Sequence, residues 1–241
     1  FPLVSKEEQK QIVAKLDQCF EAIDKAKANA TKNLENAKEL SQSKLNELFS
    51  KADSTWKNIT LLELLERGWI TSHLDGNHGG NYPRKSEFVD SGIPYISANC
   101  LVGGEIDFKK AKYLTKERAL LLRKGIARNN DVLFAHNATV GPTALLKTDQ
   151  EKIILSTSLT YYRCNPDFIN PEYLLIYLRS REFVKQYESV MSQSTRNQVP
   201  ITKQRSFYHI IPPIEEQNDL APKLNEFNLR LDKLVIQYSN E

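Results

Sequence analysis

Apolar residues near the start of the chain fall at Ile12, Leu16, Cys19, Ile23, Ala26 and Ala30, in alternating steps of four and three, and resume through Leu34, Ala37, Leu45 and Leu48. That spacing is a coiled-coil seam, with a register slip after Ala30. From Glu7 to about Ala52 there is neither Gly nor Pro, and Lys, Glu, Ala, Leu and Gln dominate. The stretch predicts one helix reaching on the order of 65 Å, capped by Ser5 ahead of Glu7 and Glu8. At the other end Leu220, Leu224, Phe227, Leu231 and Leu234 repeat the seam. Laying Glu7-Glu8-Gln9 on Glu215-Glu216-Gln217 also superposes Ile12 on Leu220, Lys15 on Lys223, Leu16 on Leu224, Ile23 on Leu231, Asp24 on Asp232 and Lys25 on Lys233 without a gap. Each copy follows a Pro-containing apolar stretch, Phe1-Pro2-Leu3-Val4 or Ile210-Ile211-Pro212-Pro213-Ile214. The pattern predicts an internal repeat of helix, globular insert and helix, with a final helix cut short at Glu241.

Between the helices, from Asp53 to Pro213, short β-rich runs alternate with Gly, Pro and Asn turn clusters. Strands are expected at Ile93–Ile96, Asp131–Ala135, Thr143–Leu146, Lys152–Leu155 and Leu159–Arg163. Helices are expected at Leu61–Glu66, Thr115–Leu122 and Pro171–Tyr187, the last with Pro at its first position. The fold class is therefore α+β: a mixed α/β globule over 53–213 inserted between two long coiled-coil helices, 1–52 and 214–241.

Composition narrows the function classes. With 33 Lys+Arg against 30 Asp+Glu, the net charge of +3 does not by itself establish a nucleic-acid partner. Cys19, Cys100 and Cys164 form no CxxC pair, which argues against a disulfide framework or a zinc cluster and fits a reducing cytoplasm. No apolar run approaches the roughly 20 residues that span a bilayer, and the start has no signal pattern. The missing initiator Met suggests a fragment or a processed chain. No GxGxxG, GxxxxGK[ST] or GxSxG motif occurs, and no Cys has a His at motif spacing. No catalytic residue is assigned. His73 and His78 lack a third ligand at metal-site spacing and read as a surface loop, and Asn165-Pro166-Asp167-Phe168 reads as a plain turn. No metal is expected.

Binding chemistry is better represented. Within Asp75-Gly76-Asn77-His78-Gly79-Gly80-Asn81-Tyr82-Pro83-Arg84-Lys85, the residues Asn77, His78, Asn81, Tyr82, Arg84 and Lys85 are the groups that read bases and phosphates. Asn pairs with an adenine edge, Arg with guanine, and Lys with phosphate. A polar loop that holds its own turns is the competing reading. The run Ser192-Gln193-Ser194-Thr195-Arg196-Asn197-Gln198 cannot enter a core unpaired, so it is either a solvated connector or a contact surface, and Ser194, Thr195, Arg196, Asn197 and Gln198 are its candidate contacts. His136, Asn137 and Thr139, after a strand, form a third candidate turn, with buried turn packing as the alternative. Arg118, Arg123, Lys124 and Arg128 read as a solvated helix face.

In their order these segments resemble the specificity subunit of Type I restriction-modification systems. The resemblance rests on the Pro then Glu-Glu-Gln that opens a long helix, Asp75-Gly76-Asn77-His78 with Tyr82-Pro83, and Ser91-Gly92-Ile93-Pro94-Tyr95-Ile96. It continues through Gly125, Asp131-Val132-Leu133-Phe134, Asn137-Ala138-Thr139-Val140-Gly141, Ser194-Thr195-Arg196-Asn197-Gln198 and Ile211-Pro212-Pro213 with Glu215-Glu216-Gln217. It covers nearly the whole chain, with one target recognition domain where a full subunit has two. The resemblance implies a non-catalytic subunit of a methyltransferase/endonuclease complex whose domain reads one half of a bipartite target in double-stranded DNA. It implies methyltransferase subunits that carry S-adenosylmethionine, a separate restriction/translocase subunit, and helices that serve as a spacer. It places the protein in the cytoplasm, away from membranes. Two half-length chains could also pair as a homodimer through their seams. The rival reading is a coiled-coil adaptor whose insert binds protein rather than DNA.

Overall fold

The computed structural model describes residues 4–50 and 54–239, with backbone only for Lys38, Gly80 and residues 227–239. The seam positions Phe227, Leu231 and Leu234, residues 1–3, and the boundary at 51–53 therefore lie outside the described side chains. The chain opens with α1 (Lys6–Ser50), whose first turn is capped as expected, Glu8 N donating to Ser5 Oγ at 3.3 Å. The globule then runs through β1 (Lys57–Thr60), α2 (Leu61–Glu66), β2 (Ile70–Asp75), β3 (Phe88–Val89), β4 (Ile93–Ile96), β5 (Leu101–Val102), β6 (Glu105–Ile106) and β7 (Lys112–Leu114). It continues with α3 (Lys116–Leu120), β8 (Ile126–Ala127), β9 (Val132–Asn137), β10 (Thr139–Leu145), β11 (Ile153–Leu155) and β12 (Leu159–Cys164). The helices α4 (Pro171–Tyr177), α5 (Arg181–Ser192) and α6 (Ile201–Gln204), the strand β13 (Tyr208–Ile211) and the helix α7 (Ile214–Ser239) complete it.

Two sheets form the body. An antiparallel sheet has the order β10-β9-β12-β2, and a mixed sheet has the order β3-β7-β4-β11-β8, with β4 and β11 parallel. Strand β13 returns to pair with β1. In the antiparallel sheet Asp75 faces Thr160, Leu159 faces Ala135, and Asn137 faces Thr139. One end of that sheet thus gathers the end of β2, the β9–β10 turn and the start of β12. The other end, where Cys164 faces Ile70, lies toward α1 and α4. There Leu45 and Phe49 of α1 enter the core beside Tyr173 and Tyr177 of α4, Ile211 and Ala221.

The fold is α+β, but the pair of flanking coiled-coil helices is not the arrangement described. Helix α1 is covered along Ala30, Leu34, Ala37, Leu45, Leu48 and Phe49, and it packs on α5 and α7. Its earlier stripe faces solvent: Ile12, Leu16 and Ile23 are each about half exposed. The expected helix over Pro171–Tyr187 is two helices. Ser180 breaks the run because its Oγ accepts from Phe183 N and caps α5 afresh. The expected basic helix face over Arg118–Arg128 is also absent, since α3 ends at Leu120 and Arg118 turns back to bind Glu87 and the Asn81 carbonyl.

Candidate nucleic-acid interface

The sheet end away from α1 and α4 is built by a tight hairpin. Ala138, between β9 and β10, adopts φ +64°, the left-handed region a two-strand reversal requires. The hairpin tip is locked to the polar run after α5: Ala138 N donates to Asn197 O at 2.9 Å, and Asn197 Nδ2 donates to Ala138 O at 2.6 Å. Asn137 and Gln198 form a β-bridge beside them. Two segments about sixty positions apart are thereby joined, leaving Thr139, Ser194, Thr195 and Arg196 exposed on one surface.

A buried polar network holds this run against the sheet. Gln204 Oε1 accepts from His73 Nε2 at 3.1 Å and from Thr160 Oγ1 at 3.0 Å, while its amide donates to Val199 O. Val199 O also accepts from His136 Nδ1 at 3.0 Å, and Val199 N donates to His136 O. Burial favours neutral imidazoles: it pulls His73 down to about 3 and His209 to about 4, and holds His136 below its ordinary value. These histidines are uncharged scaffold at neutral pH.

The third segment enters from β2. Gly76 lies so close to the backbone of Ser156 that a Cβ there would approach its carbonyl carbon to 2.4 Å. His78 is exposed and pairs through Nε2 with Asp75 Oδ2 at 2.6 Å. Two expected contact residues instead lie inside the protein. Asn77 is buried, with both amide atoms on the backbone of Lys124, and His136 is 1% exposed. His73, read from the sequence as part of a loop, is buried in β2. Asn77 and His136 face inward because the backbone of a distant segment takes its hydrogen bonds from them, Lys124 from Asn77 and Val199 from His136.

Asn81, Tyr82, Arg84 and Lys85 are exposed on a segment tied to α3 rather than to the hairpin. Asp75 faces Thr160, which in turn faces Phe134, so the Asp75–His78 turn lies beside the β9 end. Sequence reasoning missed the contribution of Ser156 and Ser158, whose hydroxyls bond at 2.6 Å, with Ser158 Oγ also accepting from Ala98 N. Arg123 and Lys124, expected on a helix face, sit instead in a loop beside Asn77. Gly125, with φ +62° and a Cβ position only 2.7 Å from the Gly76 Cα, was the available signal, because such a glycine marks a turn and a close backbone approach. Among the described residues, Arg123, Lys124, Arg196, Lys203 and Arg205 take part in no ion pair. The surface combines unpaired cations with hydroxyl groups and suits a polyanion with hydrogen-bonding edges.

Comparisons with known proteins agree on one family. Residues 53–237 match the model of the Type I restriction modification DNA specificity domain. The Type I restriction enzyme EcoBI specificity subunit of Escherichia coli is 22% identical over 99% of this chain and 53% of its own length. A chain from a structural study of complex assembly and conformational transition of the type I R-M system superposes with a TM-score of 0.72 at 21% identity, covering 100% of this chain and 56% of that one. The HsdS subunit from Thermoanaerobacter tengcongensis gives 0.59 at 21% identity over 97% of this chain and 54% of its own. The S subunit from M. genitalium gives 0.60 at 14% identity over 98% and 58%. The chain spans about half the length of each of these relatives.

Proposed function

This chain belongs to the Type I restriction modification DNA specificity family, and from that premise we propose that its globule reads one half of a bipartite target in double-stranded DNA. The observation that carries the reading is the junction of the β9–β10 hairpin tip with residues 194–198, between α5 and α6. Thr139, Ser194, Thr195 and Arg196 are placed to enter the major groove, where the donor and acceptor pattern distinguishes all base pairs. Arg84 and Lys85 fix the register through phosphates. Asn81, Tyr82 and His78 are exposed beyond the hairpin junction and add further polar contacts to the duplex. Asn77 and His136 act behind the surface by holding its loops, and Asn197 holds the hairpin tip from the surface itself.

The remaining assignments follow from the family. The chain itself performs no chemistry. Methyltransferase subunits carrying S-adenosylmethionine flip and methylate the target adenine, and a restriction/translocase subunit cleaves. The helices are the spacer between half-sites and the seat of those subunits, with the exposed α1 seam completing a coiled coil. The complex works in the cytoplasm.

Enrichment from a randomised duplex pool, at two salt concentrations and with and without a methyltransferase partner, tests the reading. One short defined half-site is the expected result, with a slope of log affinity against log salt near −5 for about six phosphates. Arg196→Ala should relax selection at one position by about 1–3 kcal/mol. Binding without sequence enrichment or salt dependence would favour the protein-binding adaptor.

A further inference from the structure

The connection between α3 and β8 has no role in the hairpin junction, yet its composition is unusual. Leu120 and Leu121 are 61% and 67% exposed, the two most exposed large apolar side chains among the described residues. Arg123 and Lys124 follow at once, exposed and without an ion pair among the described residues. Leu122, between the two pairs, is buried and anchors the segment.

The connection is held rigidly. Asn77 Nδ2 donates to Lys124 O at 2.6 Å, and Lys124 N donates to Asn77 Oδ1 at 3.2 Å, so one buried carboxamide engages both backbone groups of a single residue. Gly125 backs onto Gly76 so closely that a Cβ at 125 would stand 2.7 Å from the Gly76 Cα, and Gly125 O accepts from Leu155 N at 2.7 Å. On the upstream side Arg118 bonds Glu87 and the Asn81 carbonyl. Two exposed leucines and two free cations on so constrained a backbone form a contact surface whose place relative to the Asp75–His78 turn is fixed.

We propose that residues 120–124 are a second DNA-contacting arm, in which Arg123 and Lys124 hold backbone phosphates, Leu120 and Leu121 lie against the duplex, and Asn77 is the positioning residue that sets where the arm stands. The proposal rests on the DNA reading above. Charge complementarity selects the occupant: unpaired cations beside a polar reading surface match a polyanion, and exposed apolar side chains beside such cations fit the sugar edge or an opened base step. Lys and Arg at phosphates contribute a salt-dependent part of affinity, whereas the leucines contribute a salt-independent part.

The test uses the full chain and a fluorescein-labelled duplex of mixed sequence, followed by anisotropy across a salt series. Arg123→Ala with Lys124→Ala should flatten the slope of log affinity against log salt by about 1.8, which is two phosphates at about 0.9 each. Leu120→Ser with Leu121→Ser should weaken binding at every salt concentration and leave the slope unchanged. Asn77→Asp turns the donor facing Lys124 O into an acceptor. It should flatten the slope in the parent chain but not once Arg123 and Lys124 are already alanine, the non-additivity expected of a residue acting through them. A structural role alone would lower the unfolding midpoint and weaken binding equally in both backgrounds. The cation and leucine changes are at exposed positions, so they test the arm even if Asn77→Asp does not fold. If the parent chain shows a steep slope that the cation pair leaves intact, the arm is overturned and the DNA reading stands. If the parent shows no slope, the DNA reading itself falls. Loss of methyltransferase-subunit binding with DNA affinity unchanged would overturn the arm in favour of a protein interface.

Discussion

The starts of α1 and α7 carry the same repeat and meet different surroundings. In α7, Gln217 is fully buried: its Oε1 accepts from Asn170 N at 2.9 Å, and its Nε2 donates to Phe168 O at 2.9 Å and Pro212 O at 2.8 Å. In α1, Gln9 makes the bond to its own chain five residues back, Nε2 to Val4 O at 2.9 Å, and is otherwise exposed. Leu220 and Leu224 pack on the core and Ala221 is fully buried, while Ile12, Val13 and Leu16 are 48%, 55% and 49% exposed. The helix start is thus a local property of the sequence, because its backbone and amide bonds close within one turn. Docking is not local. It depends on the Phe168–Asn170 turn, which presents a carbonyl and an amide to Gln217.

Acid should part the two starts most strongly. Unfolded imidazoles protonate near 6.5, whereas His73 and His209 resist until about 3 and about 4, so the unfolded chain binds more protons in that window. The stability they confer is fully present above pH 6.5 and is lost as pH falls toward 4. At about pH 4.5, two units below the unfolded value, two such groups at about 1.4 kcal/mol per unit put the loss on the order of 5 kcal/mol. Guanidinium unfolding at about pH 7.5 and about pH 4.5 should show the globule, and with it the docking of α7, weakening steeply. A midpoint independent of pH would contradict the buried neutral histidines. The glutamines come next. Gln217→Ala strands a buried carbonyl pair and an amide and should cost about 3 kcal/mol, whereas Gln9→Ala should stay within about 0.5 kcal/mol. Equal costs would mean that α1's start is as closely packed as α7's.

The same contrast explains what the sequence could disclose. Helix α2 matches its expected span, and α1 was readable from its unbroken run of helix formers, because both signals close within a few residues. The exposure of Ile12 and Leu16 was not readable, since a stripe announces a face and not what covers it. Ser180 carried a cap signal inside a run that otherwise looked continuous, and its meaning depends on the Phe183 amide it serves. At the candidate site, Asn137, Thr139 and residues 194–198 were picked out by polarity, and the structure brings them together. Polarity could not tell Asn77, turned inward onto Lys124, from Arg196, turned outward. Arg123 and Lys124 were misplaced because the helix expected to carry them stops at Leu120.

The finest probe of the comparison is the second glutamate of each repeat. Trp56 Nε1 donates to Glu216 Oε2 at 3.0 Å, and Trp56 also packs edge-on to Phe49, so this bond joins the start of α7 to the segment just after α1. Glu8 holds the corresponding place in α1 and is exposed. Glu216→Ala removes a partly buried, charge-assisted acceptor and should cost about 1 kcal/mol, with Trp56 emission shifting to the red as water takes the indole N–H. Glu8→Ala loses only its interaction with the helix dipole, about 0.3 kcal/mol, and should leave the emission unchanged. The spectral difference matters more than the small energies, because Trp56 reports the α7 start alone. A red shift from Glu8→Ala would mean that α1's start reaches the globule, and the two halves of the repeat would then be docked alike.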